Sequence, residues 1–266
     1  MTTQEDADVM KRVIVFSNWK MNKKLDEAGD FIKKLVTLLG KRQDIIVIMC
    51  IPYTYIGPAS SFIKDSCIEI GSENMHAEEW GEFTGEISAP MLVSVGCTHV
   101  LLGHSERRKY FDETDEEVGR KMISALKNGL TPIVCIGETL PEKDSGRTLE
   151  ILDKQIRVCL QGITPSHRCY VAYEPRWAIG TGMAPEYGEI EKTHLFIRKK
   201  IREYYGEVVS GNTETLYGGS VTADNSYKIC SLNGVDGVGF GGCSLDFDCF
   251  TKGIEEAART VVRTDR

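Results

Sequence analysis

Short uninterrupted apolar runs alternate along the chain with longer stretches in which apolar residues recur every three or four positions. The apolar runs predict strands over residues 13–17, 45–50, 68–71, 100–102, 131–136, 169–173, 215–217 and 235–240. The longer stretches predict helices over 25–39, 115–127, 149–160, 186–204 and 247–262, while the segments after the second, third and seventh strands are shorter and less periodic. A strand that is apolar throughout is buried on both faces, as in a parallel sheet whose crossover helices cover it. Eight such strands, each followed by a helix or room for one, match a (β/α)8 barrel, with a doubly wound open sheet as the alternative. No Pro- or Ser-rich linker divides the chain, so residues 1–266 read as one domain with 1–12 as a polar N-terminal arm.

Composition narrows the partners. The net charge of −7 offers no broad basic face, which argues against nucleic acid while leaving room for a small anion at a locally positive site. The nine cysteines are scattered, show no C-x-x-C spacing and fall mostly in apolar runs, as Cys50 and Cys135 do. They read as buried thiols in a reducing compartment, not as a disulfide framework or a zinc site. The N-terminal "MTTQEDADVMKR" has no signal-peptide core, and no apolar run is long enough to cross a bilayer. A cytoplasmic protein, away from membranes, is the expectation.

Both candidate architectures bind ligands at the carboxyl ends of their strands. The polar residues there are Asn18 and Lys20, Asn74, His104, Glu138, Glu174, then "GGS" at 218–220 and "GG" at 241–242. Glu174 ends the apolar run "CYVAY", and a carboxylate screened from water at such a rim becomes a stronger base. An exposed loop glutamate in an ion pair is the ordinary alternative. The residues after Glu174 favour the base: Pro175 fixes the exit from the strand, Trp177 supplies bulk, and Gly180 and Gly182 permit unusual dihedrals. Together they describe a lid hinged behind the carboxylate. His104, in "LLGHSERR", stands where a strand gives way to a helical turn, and the positive end of a helix favours a neutral imidazole able to donate a hydrogen bond. Residues 18, 20 and 22 alternate with Trp19 and Met21, so Asn18 and Lys20 would share a side if the extended backbone persists. The glycine pairs come after strands and precede helices, a setting in which backbone N–H groups hold phosphate without a cation. Gly237, Gly239 and Gly242 also fit G-x-G-x-x-G, but too little chain remains beyond them for a dinucleotide fold.

Seven segments, "SNWKMN", "GEFTGEISAPML", "LLGHSERR", "PIVCIGET", "AYEPRWAIGTG", "YGGSV" and "VDGVGFGGCSL", occur in the order seen in triosephosphate isomerases, and the chain resembles that family from about residue 13 to 250. The resemblance implies a TIM barrel and isomerisation of a phosphorylated sugar through an ene-diolate, with no cofactor and no metal. It implies Glu174 as the base, His104 as hydrogen-bond donor to the substrate oxygens, and Lys20 with Asn18 as the charge-stabilising pair. The pairing of carboxylate base, neutral imidazole and closing loop is the family's known one. Gly180, Ser220, Gly241 and Gly242 match its phosphate grip, and residues 175–185 match its water-excluding lid. Thr84, in "EFTGE", matches a loop that reaches a partner's site, implying a homodimer.

Three positions depart from that pattern. Gly239 stands where the family usually has leucine, opposite Ile179, and losing a buried leucine predicts a void costing about 2–5 kcal/mol. Such a void would admit water or a longer substrate beside Glu174. Arg176 replaces a small apolar residue in the lid, and Glu73 a glutamine before Asn74. Three readings result: an isomerase of dihydroxyacetone phosphate and D-glyceraldehyde 3-phosphate, an isomerase of a four-carbon ketose phosphate of the erythrulose phosphate type, and a non-catalytic phosphosugar-binding barrel.

Overall fold

The computed structural model describes residues 12–181 and 183–261, so the N-terminal arm, apart from Arg12, lies outside the described residues, as do Gly182 and Val262. Eight parallel strands close into a barrel in sequence order. They are β1 (Val13–Asn18), β2 (Ile45–Ile51), β3 (Ile68–Ser72), β4 (His99–Leu102), β5 (Thr131–Ile136), β6 (Cys169–Tyr173), β7 (Thr213–Tyr217) and β8 (Gly237–Phe240). The last strand pairs with the first, setting Ile14 against Gly237 and Phe16 against Gly239. This closure decides between the two expected architectures.

Alternation within each strand sorts side chains into two apolar bodies. Ile14, Phe16, Ile48, Leu101, Ile133, Tyr170 and Leu216 fill the barrel interior. Val15, Val47, Ile70, Val100, Val134 and Val171 face outward against the helices. The outer layer comprises α1 (Leu25–Leu39), α2 (Tyr53–Phe62), α3 (Ala89–Ser94), α4 (Ser105–Tyr110), α5 (Asp115–Lys127), α6 (Leu140–Asp144), α7 (Thr148–Cys159), α8 (Tyr187–Gly211), α9 (Ser226–Cys230) and α10 (Phe247–Ala258). Helix α1 shows why the pattern was readable. Ala28, Phe31, Ile32, Leu35 and Leu39 form its buried stripe, and the Glu27 carboxylate accepts the Lys24 N–H at 2.7 Å to cap its start.

The structure extends several expected bounds. β7 begins at Thr213 instead of 215, because a polar pair, Thr213 and Glu214, opens it; Arg168 holds Glu214 at 2.6 Å. α8 continues past Tyr204 to Gly211 through a kink at Gly206, whose φ is +87°.

Candidate active site

β6 carries Glu174 to the mouth of the barrel, where the Glu174 N–H still donates to Ile136 O at 2.8 Å. The residue is 3% exposed. Its Oε2 accepts the Ser105 N–H at 3.3 Å, and its Oε1 lies 3.7 Å from His104 Nε2. His104 is the N-cap of α4, with Nδ1 accepting the Glu106 N–H at 3.2 Å. That bond occupies the Nδ1 lone pair, so the neutral ring carries its proton on Nε2, the atom facing Glu174.

Beyond β1 the extended backbone does not persist, contrary to the alternation expected over 18–22. Lys20 has φ +56°, Trp19 is fully buried and Met21 is 98% exposed. Asn18 shapes this turn by accepting the Lys20 N–H on Oδ1 at 3.1 Å. The turn nonetheless brings Lys20 to the mouth, where Nζ lies 2.6 Å from Glu106 Oε1.

One cavity of about 230 Å³ gathers these groups and the loops opposite them. Asn18, Lys20, His104 and Glu174 line it, and so do Gly180, Ser220, Gly241 and Gly242. Gly180 has φ +70°, a left-handed conformation that a residue with a side chain adopts at a cost. A 3-10 turn runs from Gly242 to Leu245, and the opening N–H groups of such a turn have no partner within it.

Other residues at the strand ends have different work. Glu138 is fully buried behind the lid, accepting Trp177 Nε1–H at 2.8 Å and the Tyr173 hydroxyl at 3.3 Å. Burial pushes its carboxyl above the usual range, against those hydrogen bonds. Lys143 sits 3.8 Å above the Trp177 ring. The lid tryptophan is thus anchored through its N–H as well as its bulk. Asn74 turns to an adjoining cavity of about 330 Å³, which Glu73 also lines. There its Oδ1 accepts from Lys121 Nζ at 2.9 Å. Arg176 lines a separate cavity on the lid with Tyr110 and Trp177. Burial, and then Arg108 nearby, lower its guanidinium pKa.

Two further expectations fail. The void foreseen at Gly239 does not exist, because the ring of Phe16 occupies that space: a Cβ on Gly239 would meet Phe16 Cε2 at 2.8 Å, with Cε1 and Cζ closer still. The cysteines are not all thiols either. Cys243 and Cys249, six residues apart, form a disulfide, because the 3-10 turn after β8 folds back onto the first turn of α10. The other seven are free, and six of them are buried.

Sequence reasoning missed three contributors. Glu106 had a signal, an acid two residues beyond His104 where a helix begins. Phe16 had a fainter one, an aromatic ring in a strand whose other apolar residues are aliphatic. The Ser105 amide had none, since a backbone group carries no residue signature.

A closed parallel barrel with a buried carboxylate facing an imidazole at its carboxyl end, beside glycine-rich turns, defines an acid–base enzyme of the (β/α)8 class. The family profile described as Triosephosphate isomerase matches residues 13–257. A triosephosphate isomerase of Alkaliphilus metalliredigens is 41% identical over 243 residues, covering 91% of this chain and 98% of the relative. One from Chloroflexus aurantiacus is 39% identical over 245 residues, with coverage of 91% and 98%. The crystal structure of triosephosphate isomerase from Bartonella henselae superimposes with a TM-score of 0.82 at 32% identity, covering 92% of this chain and 98% of that one. The chain belongs to the triosephosphate isomerase family.

Proposed function

We propose that this chain interconverts dihydroxyacetone phosphate and D-glyceraldehyde 3-phosphate by proton transfer through an ene-diolate. The observation that carries the reading is the facing of Glu174 and His104 at 3.7 Å within the cavity that also gathers both glycine turns. Glu174 removes a proton from the carbon beside the carbonyl, and His104 Nε2–H donates to the oxygen on which charge develops. Lys20 supplies positive charge to that oxygen, with Asn18 fixing the turn that presents it. Amides of Gly180, Ser220, Gly241 and Gly242 hold the phosphate. Glu174 then returns the proton to the neighbouring carbon. The reaction needs neither cofactor nor metal.

The three-carbon substrate is favoured because Phe16 fills the space that Gly239 would otherwise leave. The chain acts as one barrel domain in a homodimer. Support comes from exposed apolar side chains around the Thr84 loop: Phe83 (43%) next to it, and Met21 (98%) and Phe111 (65%), which share a cavity with Gly85 and Glu86. The cytoplasm is the proposed compartment, supported by seven free cysteines. No helix among the described residues is long and apolar enough to cross a membrane.

A coupled assay in both directions tests the activity. Wild type should turn over the triose phosphates, and Glu174→Gln should lose at least roughly 10³-fold in kcat while still binding 2-phosphoglycolate. Binding of that anion without turnover by wild type would favour the non-catalytic barrel.

A further inference from the structure

Phe16 and Gly239 stand opposite each other where the first strand meets the last. Both line the cavity that holds Glu174, His104 and Lys20. Phe16 is 2% exposed and belongs to the interior body of the barrel, two residues before Asn18 and so on the same inward side. Its ring takes the volume in which any side chain at 239 would have to sit. The remaining lining is mostly polar side chains and backbone, apart from Ile179 of the lid, Val221 and Phe240, whose ring packs outward on Phe250. Of the two phenylalanines that line the cavity, Phe16 is the one that belongs to the interior body of the barrel, so its ring forms the floor.

We propose that Phe16 is the specificity-determining residue of this site: its ring limits the cavity to a three-carbon phosphorylated chain and keeps a longer one out. The inference rests on the isomerase reading and goes beyond it, because it assigns substrate length to one side chain that performs no proton transfer. Removing the ring opens space continuous with the cavity, on the side where Gly239 contributes nothing. A side chain at 239 cannot coexist with the ring, so the two positions act as one unit. Gly239→Leu alone forces the ring from its place, whereas Phe16→Ala with Gly239→Leu exchanges one apolar filling for another. Such contacting sites are expected to be strongly non-additive.

The test measures kcat/KM for D-glyceraldehyde 3-phosphate and for a four-carbon erythrulose phosphate in wild type, Phe16→Leu, Phe16→Ala, Gly239→Leu and the Phe16→Ala/Gly239→Leu double variant. Thermal unfolding is monitored alongside. Phe16→Ala should shrink the preference for three carbons at least about tenfold, the usual reach of a pocket's apolar packing. Phe16→Leu should shrink it less, Gly239→Leu should lower Tm, and the double variant should recover most of both the preference and the Tm. A folded Phe16→Ala with unchanged preference overturns the proposal, as does a double variant no better than the sum of its parts. Should Phe16→Ala not fold, Phe16→Leu decides by the same ratio. Absence of triose phosphate turnover in wild type would instead sink the isomerase reading. Calorimetric titration with 2-phosphoglycolate and 4-phosphoerythronate then reads the length limit from binding, with an unchanged affinity ratio in the Phe16 variants overturning it.

Discussion

Glu73 is a carboxylate placed where water reaches it poorly. Its Oε1 has no hydrogen-bond partner among the described residues. Burial pushes its carboxyl from 4.5 up to about 8, opposed in part by Lys20. A carboxyl with a raised folded-state pKa binds its proton more tightly in the native chain than in the unfolded one. Stability is therefore lost as pH climbs between those two values. Glu73→Gln removes that loss: we expect a gain on the order of 1–3 kcal/mol at pH 9 and almost none near pH 5, read from urea unfolding at both. An equal gain at the two pH values would refute the assignment. Glu73 was visible in the sequence only as an oddity beside Asn74, whereas Glu174 and His104 were legible as acid–base groups. Each of those two ends an apolar strand, and a barrel places such residues at its mouth whatever the details of packing. Phe16 against Gly239 was illegible for the opposite reason. The two are far apart in the chain, and their exchange of volume exists only across the pairing that closes the sheet.

Elements show the same division. β5, β6, α1 and α5 were read to the residue, because their burial obeys a simple period that the side chains declare. The short α3 and α9 were not, since a helix of one or two turns has too few apolar positions to establish a rhythm. The disulfide between Cys243 and Cys249 was likewise hidden, because its spacing resembles no framework and depends on a turn. It staples the segment after the Gly241–Gly242 turn to α10, and so short a closed loop is worth about 2 kcal/mol. Dithiothreitol should lower the Tm of wild type and leave that of Cys249→Ser unmoved, and Cys249→Ser should raise KM severalfold with little change in kcat. A wild-type Tm indifferent to reductant would show that the bridge contributes nothing. The lid has its own staple in the bond from Trp177 to Glu138. Trp177→Phe keeps the bulk but leaves a buried carboxylate short of a donor, so a loss of roughly 1–3 kcal/mol is expected in thermal unfolding. A loss below about 0.5 kcal/mol would mean that water replaces the indole.

At the scale of the whole molecule, the exposed apolar face around Thr84 sets the expectation for assembly. Sedimentation should give twice the chain mass, and Phe83→Glu should weaken the association at least roughly tenfold by carrying charge into an apolar contact. A sedimenting monomer at micromolar concentration would end the homodimer reading. The fold class itself was legible because eight apolar runs separated by helical stretches leave few arrangements, and closure of β8 on β1 selected between two. That closure has a consequence for how the protein is made. The cavity floor is contributed by the first strand of the barrel to be synthesised and completed by the last, so a barrel lacking β8 has no complete site. Contacts so distant in sequence form slowly. Activity in a translating extract should therefore appear only after Gly242 emerges, in one step and not in proportion to length.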